Sequence, residues 1–219
     1  MPRSGAGTRA KILDAAEALV FQSGFAATSI DKVVEAAGIA KGALFYHFKS
    51  KADLGRALVQ RYAERDLAHL DRTLARAERL SSDPRHQALI LIGLLQEEYE
   101  GLPDPIRGCL FTSYLYERAE YPEDVAEIAE RTFEQWCDRV ADKLEQAAAG
   151  TGGWGDRHAT PRRLASTLLA LIEGGLVLAK AQRDSSVLPE LLGQFRWQLE
   201  GLLDLRPDAA DRPGSDRPL

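Results

Sequence analysis

Apolar positions recur at helical spacing along almost the whole chain. Ile12, Leu13, Ala16, Leu19 and Val20 fall at i, i+1, i+4, i+7 and i+8, which is one stripe of an amphipathic helix. Gly24 follows, where a left-handed residue would end the helix and fold Phe25 back. Thr28-Ser29-Ile30-Asp31 reads as a capping box with Thr28 as the cap. Ile30, Val33, Val34 and Ala37 then give a second short helix its buried face. Gly38 marks a sharp turn that needs positive φ. A third short helix is predicted from Ile39 to about Tyr46. Ser50-Lys51-Ala52-Asp53 is another capping box, and it opens a fourth helix that runs past Leu70 with Leu54, Leu58 and Tyr62 on one side.

Longer helices with clear breaks fill the remainder. Ser82-Asp83-Pro84 starts one carrying Leu91, Leu94, Leu95 and Tyr99, and Leu102-Pro103-Asp104-Pro105 ends it. The next is predicted from Ile106 to Arg118. Pro122 opens another that ends near Gly150, and the TGGWG run at 151–155 is a loop. Thr160-Pro161 is an N-cap followed by proline at N1. The helix after it aligns Leu164, Leu168, Leu171, Ile172, Gly175 and Leu178 on one stripe. Pro189 opens a last helix through Leu205, and the proline-rich tail has no core-forming residues. The pattern predicts an all-α fold of about nine helices. Residues 1–50 form a three-helix domain, 51–204 a larger helical domain, and 205–219 a disordered tail.

Composition narrows the function. Of 219 residues, 45% are hydrophobic and 28% charged, which is ordinary for a globular protein. No run of about 18 apolar residues suggests a membrane span, and the polar start MPRSGAGTRAK has no signal-peptide core, so a cytoplasmic location is expected. Neither Cys109 nor Cys137 has a further cysteine or histidine nearby at metal-ligand spacing. No cofactor or metal is expected. Charge is uneven: residues 1–51 hold seven Lys/Arg and four Asp/Glu, whereas the rest holds 21 and 29. A basic head on an acidic body points to a polyanion that meets the head alone.

Two short helices joined at Gly38 form a helix-turn-helix pattern, whose second helix enters the major groove of DNA. Its first turn carries Lys41, Gly42 and Ala43. Lysine supplies charge, glycine lets the backbone approach, and alanine offers a methyl contact. Tyr46 and His47 can donate to phosphates. Lys51 and Thr28 lie at helix starts, where free amides favour an anion.

The run TSIDKVVEAAGIAKGALFYHFKSKADL resembles the N-terminal domain of the TetR family of transcriptional regulators. The specific part is Ala37-Gly38-Ile39, Lys41-Gly42, Leu44-Phe45-Tyr46-His47-Phe48, Lys49-Ser50-Lys51 and Leu54. Phe45 stands where many members carry tyrosine, so any hydrogen bond from that ring is lost. The resemblance implies a homodimer that reads a pseudo-palindromic operator in double-stranded DNA. It also implies that the last two helices pack on their symmetry mates, here through Leu171, Gly174, Gly175 and Leu178, with Leu192, Phe195 and Leu199 on the final helix. Packing of that face within its own subunit is the competing expectation.

The middle helices are expected to enclose a pocket for a small apolar or aromatic ligand. Tyr62, Leu95, Tyr99, Leu110 and Phe111 are candidate linings, as are Tyr114, Phe133 and Trp136. Glu117 and Glu173 are possible polar partners. Cys109, near a helix start and beside Arg107, has reason to be an acidic thiol. A Gly-Cys-Leu at this place resembles a subgroup of the family, some of whose members sense electrophiles or oxidants.

The resemblance implies a ligand-responsive transcriptional regulator, a repressor released when a small molecule binds. A thiol sensor working through Cys109, still DNA-binding, is the alternative. A cysteine-dependent enzyme is remote, because His47, His69, His86 and His158 form no evident dyad with a cysteine. A DNA-packaging protein conflicts with the acidic body.

Overall fold

The computed structural model describes residues 5–100, 108–117, 124–149 and 160–205. Among these the chain forms nine helices and no strand, as the periodicity predicts. They are α1 (Gly5–Ser23), α2 (Ile30–Ala37), α3 (Lys41–His47), α4 (Lys51–Leu80) and α5 (Pro84–Glu100), then α6 (Leu110–Tyr116), α7 (Asp124–Ala149), α8 (Pro161–Gln182) and α9 (Val187–Leu202). The Leu102–Pro105 break, Arg107, the start at Pro122, the TGGWG loop and residues 206–219 lie outside the described residues. Leu205 is not part of a free tail: its N–H donates to the Glu200 carbonyl at 3.0 Å, and its side chain packs on the core.

Local chemistry sets most helix ends. Gly24 sits at φ 81 and Gly38 at φ 63, a region that costs glycine little and other residues more. The cap of α2 is Ser29 rather than Thr28, and Ser29 Oγ accepts from Lys32 N at 3.2 Å. Thr28 is buried, and its hydroxyl donates to the Gly24 carbonyl at 2.7 Å. The α4 box forms as predicted: Ser50 Oγ accepts from Asp53 N at 3.1 Å, while Asp53 Oδ2 accepts from Lys49 N at 3.0 Å. Thr160 caps α8, with Pro161 in its first turn.

Two apolar clusters organise the molecule. The first joins Ile12 and Leu13 of α1, Val33 of α2, Leu44 and Phe48 at α3, and Leu54 and Leu58 of α4. It continues into Leu110, Phe111 and Tyr114 of α6 and Val125 of α7. The second gathers the far halves of α4 and α7 with α5, α8 and α9. Both α4 and α7 therefore belong to both clusters. Lys143 is buried between α4, α5 and α7, where it donates to Glu78 (2.6 Å), Gln87 (2.9 Å) and Gln146 (3.0 Å). Three acceptors satisfy the three donors of an ammonium, which makes its burial tolerable.

The expected dimer face needs correction. Leu192, Phe195 and Leu199 are fully buried within their own subunit, because this stripe of α9 packs on α5 and α8. Gly175 is also internal; a side chain there would meet Leu188 and Leu191. Leu171 is half-buried. Gly174 and Leu178 are exposed, together with Val177 and Trp197. By length and hydropathy α8 could cross a membrane, yet one of its faces packs on α7 and α9.

Candidate functional site

The α3 helix is held from one side and open on the other. Leu44 is 0% exposed and Phe48 is 2% exposed, and these two residues fix the helix to the head core. Arg9 lies over the Phe48 ring, with its guanidinium carbon 5.3 Å from the centroid. Facing outward are Lys41, Gly42, Phe45 and Tyr46, the last 76% exposed. Ala43 and His47 are half-buried at the edges. A Cβ at Gly42 would meet nothing within 4 Å, so no packing inside the protein demands glycine there. The open space favours a close approach from outside. Lys41 pairs with Asp31 at 2.7 Å, but both side chains are exposed, so a phosphate can replace the carboxylate at little cost.

Two residues assigned to phosphate contact behave differently. Thr28 is buried and internally bonded, so its hydroxyl faces no groove. Lys51 turns inward: its ammonium donates to the Ala26 carbonyl at 3.0 Å and sits 4.6 Å from the Phe25 ring centroid. Lys51 thus braces the turn after α1.

In the body a cavity of about 520 Å³ opens between α4, α5, α6, α7 and α8. Of the residues named as candidate linings, Tyr62, Leu95, Tyr99, Cys109, Phe111, Phe133, Trp136 and Glu173 border it. Leu110 and Tyr114 do not, because both are 0% exposed in the head-side cluster. Glu117 also lies elsewhere. Sequence reasoning missed the charged lining: Arg65, Asp66, His69 and Glu98. Their signal was present, since Tyr62, Asp66, His69 and Leu70 fall at i, i+4, i+7 and i+8 on one face of α4.

The electrostatics of the lining are uneven. His69 Nε2 meets Glu98 Oε2 at 2.7 Å, which raises the imidazole pKa. Arg65 Nη1 donates to both oxygens of Glu17, at 2.9 and 3.1 Å. Burial pushes the Asp66 carboxyl up to about 6; His69 opposes this, and Glu173 and Glu98 add to it. Burial likewise raises both phenols, Tyr62 and Tyr99. Glu173 accepts a hydrogen bond from the Thr112 hydroxyl.

Cys109 is not the acidic thiol that its place near a helix start suggested. Burial, and then the Glu173 carboxylate, push it up to about 12. Backbone amides of α6 oppose the shift but are too weak to reverse it. Its neighbour Arg107 lies outside the described residues.

A second cavity of about 500 Å³ borders the first at Gly108, Cys109, Glu173 and Leu176, and reaches the end of α1. Glu117, just after α6, stands at its rim. Its Oε2 accepts from the Ala26 N–H at 2.8 Å, and its other oxygen occupies the space that a side chain at Gly24 would need. The α6 helix therefore joins the main cavity to the turn between α1 and α2. No group of histidine, cysteine and carboxylate side chains able to hold a metal occurs among the described residues.

Comparison with known proteins follows the same two-part division. Residues 12–58 match a family described as bacterial regulatory proteins, tetR family. Residues 93–193 match the C-terminal domain of LmrA/YxaF-like transcriptional regulators. The HTH-type transcriptional regulator TtgR of Pseudomonas putida is 31% identical over 124 residues, 57% of this chain and 56% of that protein. The chain thus spans little more than half of TtgR. The transcriptional regulator AcuR of Cereibacter sphaeroides is 28% identical over 166 residues, 74% of this chain and 71% of AcuR. A crystal structure of a transcriptional regulator from Agrobacterium tumefaciens superimposes with a TM-score of 0.73 at 24% identity, covering 91% of this chain and 99% of that one.

Proposed function

The chain belongs to the TetR family of bacterial regulatory proteins, and from that premise we propose that it is a ligand-responsive transcriptional repressor. Two copies bind a pseudo-palindromic operator in the cytoplasm, and a small molecule in the body releases them. The observation that carries this reading is α3: anchored through Leu44 and Phe48, it presents Lys41, Gly42, Phe45 and Tyr46 outward together. Such a helix fits the major groove. Lys41 and Tyr46 serve phosphates or base edges, and Phe45 supplies apolar contact of the kind a thymine methyl accepts.

The body supplies the switch. The α4 helix runs unbroken from the end of the head to the cavity wall, about 24 Å from Ser50 to Asp66 at helical rise. A ligand that moves Tyr62 and Asp66 moves the base of the head with them. A second lever is α6, through Glu117 and Ala26. A change in head spacing is enough to lose an operator that both heads must read at once. The exposed apolar surface of Val177, Leu178 and Trp197, beside Gly174, fits a two-fold contact between α8 and α9 of two copies.

Selection from a pool of random duplexes tests the proposal. The enriched sequence should be an inverted repeat with half-sites about one helical turn apart. Enrichment of no sequence, or of a single unrepeated site, would count against it.

A further inference from the structure

We propose that the cavity in the body takes an aromatic cation, with Asp66 and Glu173 as its counter-charges and the rings of Tyr62, Tyr99, Phe111 and Trp136 as its walls. This rests on the reading of that cavity as the regulatory site and names the chemistry of its ligand. The argument is a balance of charges. Among the described residues two cationic side chains line the cavity, and both are already taken: Arg65 by Glu17 at 2.9 Å and His69 by Glu98 at 2.7 Å. Two lining carboxylates have no ion-pair partner among the described residues, although the His69 charge lies near enough to Asp66 to favour its ionised form. Asp66 makes no hydrogen bond or salt bridge among the described residues, and Glu173 is held by the Thr112 hydroxyl. Lys180 borders the second cavity with Glu173, but no ion pair joins them.

An anionic ligand would bring a third charge of the same sign, with no free cation among the described lining residues to receive it. A neutral ligand would remove water from two carboxylates and give nothing back, which is costly for an ionised group. A cation repays that desolvation, and the faces of aromatic rings attract it further. The cavity's 520 Å³ suits a molecule of several rings.

Calorimetric titration of the purified full chain without DNA at pH 7.5 tests this. The probes are methyltriphenylphosphonium, a permanent cation, and triphenylphosphine oxide, a neutral compound of similar shape. The cation should bind at least about tenfold more tightly, a difference within reach of one unpaired counter-charge at the effective dielectric of a protein site. Asp66→Asn should erase most of that preference, by weakening the cation and by relieving the desolvation cost that the oxide pays. Glu173→Gln should reduce it as well, and because the two carboxylates repel each other across one cavity the two effects should not simply add. Thermal melts check that each variant is folded. Equal affinity for the two probes overturns the inference. So does no binding of the cation to folded protein, or a preference that survives the Asp66→Asn/Glu173→Gln pair. Adding operator DNA separates the two readings: a cation bound with full preference that leaves the DNA complex intact supports the inference and removes the regulatory role of the site.

Discussion

Burial of Cys109 beside Glu173 decides how this thiol behaves. A group pushed up to about 12 is thiolate at pH 8 to a fraction on the order of 10⁻⁴, and the thiolate is the nucleophile. Iodoacetamide should therefore label Cys109 in the native protein at least about a hundredfold more slowly than free cysteine, followed by mass spectrometry. Cys109→Ser should leave ligand release of DNA intact. Rapid labelling would restore the thiol-sensor alternative. Asp66 behaves differently because its carboxyl faces the cavity. Its pKa is raised from 3.8 to about 6, so between those values the folded state keeps a proton that the unfolded chain has lost. Stability from this group falls as pH rises through that window, and the penalty is fully present above it. Asp66→Asn should melt at a higher temperature than wild type at pH 7.5, and the difference should vanish near pH 4. A wild-type advantage at pH 7.5 would mean that the carboxylate has a partner.

At the scale of elements, α4 and α6 each touch both the cavity and the head. Glu117 is the narrowest point of the α6 route, through one hydrogen bond to Ala26. Glu117→Ala should keep ligand affinity in the free protein within about twofold while raising the ligand concentration needed to displace DNA. Coupling between sites is lost without loss of either site when only the link is removed. Unchanged displacement would assign transmission to α4 alone. These elements were legible in the sequence to different degrees. Helix ends written in backbone geometry, such as Gly24, Gly38 and the Ser50–Asp53 box, could be read residue by residue. Thr28 misled because two hydroxyls stood side by side. Ser29 takes the cap, while Thr28 closes the turn to Gly24. Periodicity marked Leu192, Phe195 and Leu199 as an apolar face but could not name what covers it, and α5 does. The aromatic cavity wall was visible as a group of rings. Its charged members were passed over, because Asp66 and His69 are polar types usually given to a solvated face, although their spacing puts them on the same face of α4 as Tyr62 and Leu70.

For the whole molecule, the separation of charge matters more than the total. The acidic body keeps non-specific contact with DNA low, while the basic head concentrates attraction on one face. The proposed dimer would use the exposed surface of α8 and α9. Val177→Arg, at a position 49% exposed in the isolated subunit, should shift the protein to monomer in sedimentation without lowering its melting temperature as a core substitution would. Persistence of a dimer would place the contact elsewhere. The most direct test of the account is fluorescence anisotropy of a labelled duplex carrying the selected operator, titrated with protein over a series of salt concentrations. Saturation at two chains per duplex is expected, with log affinity falling linearly against log salt. Lys41→Ala should lower that slope by about one unit, and the inward-turned Lys51 should change it less. Absence of binding at low salt, or binding equally tight to any sequence, would contradict the account.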